Sequence, residues 1–215
     1  MTVDEIIRFA HQVASTLGRI LVLAFVQVNH LRGIPMVLAR LFGGASARLD
    51  PHPLYIALVD QARTPDFFGS GRVPDTLDGR FDMICVHAFL VLNRLKQEGV
   101  AAKGFAQGLF DAMFLDMDRG LRELGVGDLG VGIRVKHMAK ALYGRIAAYE
   151  AGLGQADDAT LLEALRRNLY GTTTAEPDEL ARVARYMRAA KALLAAQSFD
   201  DLVMGRVRFP ALQAV

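Results

Sequence analysis

From about residue 53 onward, apolar side chains recur at helical rather than strand spacing. Phe81, Ile84, Ala88, Val91 and Leu95 form one stripe, with Cys85 and Leu92 beside it. Phe105, Leu109, Met113, Met117, Leu121 and Leu124 form a second, and Val135, Met138, Leu142, Ile146 and Tyr149 a third. Steps of three and four residues keep such side chains on one helix face. A shorter stripe follows at Leu161, Leu162, Leu165 and Leu169, and a last one at Leu180, Val183, Met187, Ala190 and Leu194. Pro177 fits the first turn of that last helix, with Asp178 and Glu179 suited to its positive dipole end. Thr160 and Glu163 have capping-box spacing, with Asp157 and Asp158 as competing caps. An earlier helix is expected over residues 53–63. Alternation suited to a strand is weak everywhere, and its best instance is "GRVRF" at 205–209. The longest irregular stretch is read at 63–80. The fold class is therefore all-α: one bundle-like domain of about six or seven helices.

The beginning of the chain stands apart. Residues 20–31 are uncharged, and "ILVLAFVQV" is the most apolar run. It is shorter than the roughly 20 apolar residues that a membrane-spanning helix needs. A signal peptide would open on basic residues, whereas Asp4 and Glu5 stand here. Three readings are open: a membrane-surface helix, a helix packed on the domain, or a segment upstream of a true start at Met36. The domain organisation read from this is an apolar segment over 1–35, a linker over 36–52, and a helical domain over 53–215.

Composition narrows the function. The formal net charge is +2, which argues against dedicated nucleic-acid binding. Arginine outnumbers lysine 20 to 5, as GC-rich bacterial codon usage would produce. Cys85 is the single cysteine, so no internal disulfide can form, and a reducing cytoplasmic compartment fits.

Several motifs invite chemistry. Gly125, Gly127 and Gly130 have the G-x-G-x-x-G spacing of a dinucleotide cradle, but the segment before them is helical in period. That fingerprint needs a preceding strand. A helix-to-helix corner is expected instead, with Gly125 as the left-handed C-terminal cap and Asp128 capping the next helix. Asp116 and Asp118 lie about 200° apart on a helix, so they cannot share a Mg²⁺ as i, i+4 carboxylates do. The five histidines make no H-x-x-x-H pair, and no G-x-S-x-G occurs. His87 and Cys85 read as core residues. No cofactor, metal or catalytic residue is assigned. A polar, partly aromatic docking surface is read around the corner from Arg134, Lys136, His137, Lys140, Tyr143, Arg145 and Tyr149, with the acidic Asp116, Asp118 and Glu123 just upstream. Arg and Tyr are favoured at protein interfaces.

Four blocks carry a resemblance: "LYIALVDQARTPDFF", "VPDTLDGRFDMICVHAFLVLNRLK", "LFDAMFLDMDRGLRELGVGDLGVGIRVKHM" and "LYGRIAAYE". Together they resemble the ubiquinol–cytochrome c chaperone family over about residues 53–170. The resemblance implies a non-enzymatic assembly chaperone for cytochrome b of respiratory complex III. It also implies a small helper protein and contact near the ribosomal exit. The location read is cytoplasmic, with peripheral contact at the cytoplasmic face of the inner membrane left open. It marks Asp75, Asp78, Gly79, Arg80 and Phe81 in the second block, Asp116, Asp118, Arg122, Glu123, Gly125, Gly127 and Asp128 in the third, and Tyr143, Gly144 and Arg145 in the fourth. With these the docking surface comprises Asp116, Asp118, Arg122, Glu123, Gly125, Gly127, Asp128, Arg134, Lys140, Tyr143 and Arg145. Phe67, Phe68, Phe110, Met113 and Phe114 are candidates to line a groove for apolar client helices. The alternative is an all-α enzyme acting on isoprenoid or quinone-like substrates, which would need converging carboxylates and Mg²⁺.

Overall fold

The computed structural model describes residues 49–69, 71–171 and 173–212. The readings of the apolar segment and of most of the linker fall on residues 1–48, outside the described residues. The described residues form seven α-helices: α1 His52–Ala62, α2 Leu77–Lys96, α3 Val100–Glu123, α4 Asp128–Leu153, α5 Ala159–Asn168, α6 Pro177–Ala195 and α7 Phe199–Val203. A 3₁₀ turn spans Pro65–Phe67. Among the described residues there is no strand, only one isolated bridge between Phe68 and Val73. The all-α reading therefore holds.

Helix α2 is the centre, packing against α1, α3, α4 and α6. Residues 83–91 are buried on every side, as a helix enclosed by others must be. The core cluster draws on all seven helices, from Leu54 in α1 to Leu202 in α7. The last stripe behaves as expected, with Val183, Met187, Ala190 and Leu194 all fully buried.

The buried polar residues Arg94, Gln197 and His87 each have hydrogen-bond partners, whereas the Tyr149 and Tyr170 hydroxyls are buried without one among the described residues. Arg94 donates through Nε to Leu194 O (3.0 Å) and through Nη2 to Gln197 O (2.8 Å). It thereby satisfies carbonyls at the C-terminus of α6, where a cation is also favoured by the helix dipole. Gln197 ties down the chain that follows α7. Its Oε1 accepts from Arg208 N (2.7 Å) and its Nε2 donates to Arg208 O (2.9 Å). This side-chain amide bonds both backbone groups of Arg208, as a neighbouring strand would, and "GRVRF" forms no strand. His87, fully buried, sits between Met83 O and the Tyr186 hydroxyl, at 2.9 and 2.7 Å. A carbonyl can only accept, so Nδ1 carries the proton and Nε2 accepts from Tyr186. Burial pushes the His87 pKa down to about 4.

Three local expectations need correction. Residues 77–80 belong to the first turn of α2, because Thr76 caps the helix by accepting from Gly79 N (3.1 Å). The Thr160 box is not formed. Helix α5 starts two residues earlier, with Asp158 in the cap position, and Asp157 accepts from Ala159 N (3.0 Å). Asp128 is the first residue of α4 rather than its cap; Gly127 holds the cap position without a side-chain bond.

Candidate docking surface

Helices α3 and α4 form a hairpin whose corner is the glycine stretch. Gly125 has φ +81°, which is where the missing Cβ matters. Its N–H donates to Arg122 O (2.9 Å), and Val126 N donates to Leu121 O (3.1 Å). This bond pair is the Schellman arrangement that closes a helix C-terminus. The expected cap is present, but the corner is shorter than the motif: Gly130 and Gly132 lie inside α4. A helix, not a strand, leads into Gly125, so the structural context of a dinucleotide fingerprint is missing.

The residues assigned to the surface divide into three groups. Asp116, Asp118, Arg122 and Asp128 are engaged at the hairpin. Asp116 accepts from the buried Tyr55 hydroxyl at 2.7 Å, joining α3 to α1. Arg122 bridges Asp118 (2.6 Å) and Asp128, bracing the corner. Glu123, Gly125, Gly127, Arg134 and Lys140 are exposed. Tyr143 is 38% exposed, and its ring lies 5.5 Å from that of Phe110. Arg145 corrects the expectation of a surface cation. It turns inward to Asp82 at 2.6 Å, with the two side chains 17% and 13% exposed. Burial outweighs the guanidinium's pull and pushes the Asp82 carboxyl up to about 6.

The second sequence block is architectural. Asp75 and Arg80 pair at 2.6 Å across the entry to α2, and the guanidinium holds the Asp75 carboxyl below its ordinary value. Asp78 stands in the helix's first turn, where a carboxylate complements the dipole. At Gly79 a Cβ would come within 2.0 Å of Pro74 O. Phe81 lies under the Arg145 guanidinium, 5.7 Å from ring centre to Cζ. The second and fourth blocks thus meet at Asp82, Phe81 and Arg145, 63 residues apart in sequence.

The candidate lining residues mostly fill the core. Phe67 and Met113 are 1% and 2% exposed, and Phe68, Phe110 and Phe114 pack against the core cluster. Large apolar side chains face out at several places, Leu77, Val100 and Met204 among them, and four more stand on the α3–α4 hairpin. Leu115, Leu124, Leu129 and Ile133 are 64%, 62%, 89% and 60% exposed. Beyond Met117 on α3 and before Leu142 on α4, no side chain joins the core cluster. Val131 is fully buried there but outside that cluster, in the hairpin's own seam. Leu115, Leu129 and Ile133 lie off the sequence stripes, and that displacement was the available signal. Among the described residues, no three His, Cys, Asp or Glu side chains converge to hold a metal ion, and no helix is long and apolar enough to cross a membrane.

Comparison with known proteins places this arrangement. The family model described as ubiquinol-cytochrome C chaperone matches residues 70–209. The ubiquinol-cytochrome-c reductase complex assembly factor 1 of Xenopus laevis is 27% identical over 151 residues, 70% of this chain and 75% of that protein. The mouse protein of that name is 27% identical over 160 residues, 74% of this chain and 54% of its own length. The chain thus spans about half the length of the mouse and human relatives. A crystal structure of a Cbp3 homolog from Brucella abortus is similar at a TM-score of 0.68 and 35% identity, covering 77% of this chain and 91% of that one. By the extent of these matches, the chain belongs to the ubiquinol-cytochrome C chaperone family.

Proposed function

We propose that this chain binds newly made cytochrome b and holds it for assembly into ubiquinol–cytochrome c reductase, without catalysing a reaction. The observation that carries the reading is the α3–α4 hairpin end, where Leu115, Leu124, Leu129 and Ile133 stay exposed beside charged groups. Exposed apolar side chains gathered on one element mark interaction sites. The names of the relatives, assembly factors for the same reductase, supply the client class. Cytochrome b offers apolar helices, and an apolar hairpin with a polar rim suits transient contact with them. A small helper protein and the ribosomal exit region are further partners under this reading. It places the protein in the cytoplasm, with peripheral contact at the inner membrane.

The test is a strain lacking the gene, complemented with the wild-type chain or with Leu115→Ser and Leu124→Ser together. Cytochrome b and reductase content should fall without the chain and return only with the wild type. Normal cytochrome b in the deletion strain would overturn the reading. Saturable binding of a Mg²⁺-diphosphate compound in calorimetry would point to an enzyme instead.

A further inference from the structure

We propose that the outward face of α4 docks on an anionic lipid bilayer. At about 100° per residue, Leu129, Ile133, Lys136, Lys140, Tyr143 and Ala147 fall within about 40° of one line along the helix. All six are exposed. The opposite side carries Val131, Leu142 and Tyr149, all fully buried. Apart from Tyr143, whose ring lies against Phe110, the outward line faces solvent, and it holds a leucine that is 89% exposed and an isoleucine that is 60% exposed.

Charge decides between occupants. From residue 129 to 149 the chain has no acidic residue. Asp128 and Asp118 at the hairpin end are both taken up by Arg122, Glu150 at the far end of α4 pairs with Lys96 at 2.7 Å, and Asp111 acts on Tyr143 from α3. Of only five lysines in a chain with 20 arginines, two stand on this line. Protein interfaces favour arginine and are depleted in lysine. Lysines at a bilayer surface extend their ammonium groups to lipid phosphates while their stems lie along the apolar region. Leucine and isoleucine at the hairpin end would enter the acyl boundary, and Tyr143 has the amphipathic ring typical of that level. This surface takes Leu129 and Ile133 from the apolar set of the client reading but stands without that reading, whose own variant, Leu115→Ser with Leu124→Ser, leaves the α4 line intact. If both hold, it sets the hairpin beside the membrane into which the client inserts.

The experiment is co-flotation of the full chain with vesicles, either pure phosphatidylcholine or phosphatidylcholine with phosphatidylglycerol. Binding should require phosphatidylglycerol and weaken as salt rises. Lys136→Glu with Lys140→Glu should lower the partition coefficient by roughly 30-fold or more. Leu129→Ser with Ile133→Ser should weaken binding to the anionic vesicles at low and high salt alike. Lys103→Glu with Arg167→Glu makes the same change in net charge elsewhere and should stay within about threefold of wild type. Circular dichroism melts confirm that each variant is folded. Absence of wild-type binding overturns the proposal, as does binding that ignores lipid charge. So does binding untouched by the α4 changes, as membrane contact through residues 20–31 would give. Loss of cytochrome b co-purification in detergent by the lysine pair, with vesicle binding intact, would assign the face to a protein.

Discussion

Arg94 and Arg134 are the same residue type on two helices, and they show how the helical body differs from the hairpin end. The Arg94 side chain is 8% exposed, bonds two carbonyls at the end of α6 and pairs with Glu98 at 2.6 Å. Its hydrogen-bonding capacity is consumed inside the fold. Arg134 is exposed, with no ion pair among the described residues. Its capacity is available to whatever approaches. The apolar residues divide in the same way: residues 83–91 are enclosed on all sides, whereas Leu129 and Ile133 face solvent. In the body, changing a side chain should alter stability. At the hairpin end it should alter binding. Arg145 lies on α4 within reach of the hairpin in sequence but belongs to the body by its contacts, so it is the sharpest place to break the comparison.

Arg145→Glu should give the largest effect. It removes the partner of a carboxylate that is only 13% exposed and puts a second carboxylate beside it. Breaking a buried pair from one side costs about 3 to 5 kcal/mol. The expected outcome is a large fall in the urea midpoint, or no cooperative transition at all. A midpoint within error of wild type would place Arg145 with the hairpin surface and erase the boundary drawn here.

His87 gives the next largest effect, and its sign can be worked out. Its folded pKa is about 4 against an ordinary 6.5. Between those values the unfolded chain binds more protons, so stability falls as pH drops from 6.5 towards 4. The difference corresponds to about 3 kcal/mol. Asp82 works the other way: its folded pKa is raised to about 6, so its share of stability grows on acidification over much of the same range. Comparing wild type with His87→Gln cancels Asp82, which both contain. The variant should lose less stability than wild type between pH 7 and 4, by an amount of that order. Parallel stability–pH curves would show that His87 is not held neutral.

What the sequence revealed follows from how local each signal is. Helical stripes and Gly125 depend on neighbours a few residues away, and each stripe falls on a helix and the cap on Gly125, although α2 and α5 start earlier than expected and the short α7 carries no stripe. His87 and Cys85 sat on or beside a stripe and are buried. The Asp82–Arg145, Tyr55–Asp116 and His87–Tyr186 contacts join residues 63, 61 and 99 positions apart, and no periodicity carries such pairings. The third stripe shows a subtler limit. Leu142 and Tyr149 are fully buried, while Val135 and Met138 are only partly so. A stripe tells which face meets another helix, but not where the core ends. For that reason a stripe could not tell that Arg145 turns inward to Asp82 while Leu129 and Ile133 face solvent.

Gly125→Ala should act on the hairpin end without touching the body. At φ +81° an alanine is strained, by about 1 kcal/mol. Nothing lies within 4 Å of the added Cβ, so packing adds no further cost. Hydrogen exchange should speed up at the C-terminal turn of α3 while protection in α2 and α6 changes by no more than the global loss. Equal loosening in all helices beyond that loss would mean that the corner and the core are one cooperative unit.

The smallest expected effect on stability is also the most direct test of the hairpin as a binding element. Glu123→Lys with Arg134→Glu leaves the net charge unchanged. Both side chains are exposed, and neither has an ion pair among the described residues. Neither position lies on the outward line of α4, so vesicle binding should be unaffected. Exposed charges contribute little to folding, and the double change should shift stability by under about 0.5 kcal/mol. At a docking rim the same exchange inverts the local field that a partner meets, which acts on encounter and register rather than on the fold. Co-purification of newly made cytochrome b should therefore drop several-fold while the melting curve stays in place. Full cytochrome b recovery with the swapped pair would confine client contact to the exposed leucines and isoleucine. A lowered melting curve would show instead that the hairpin end shares the load of the body.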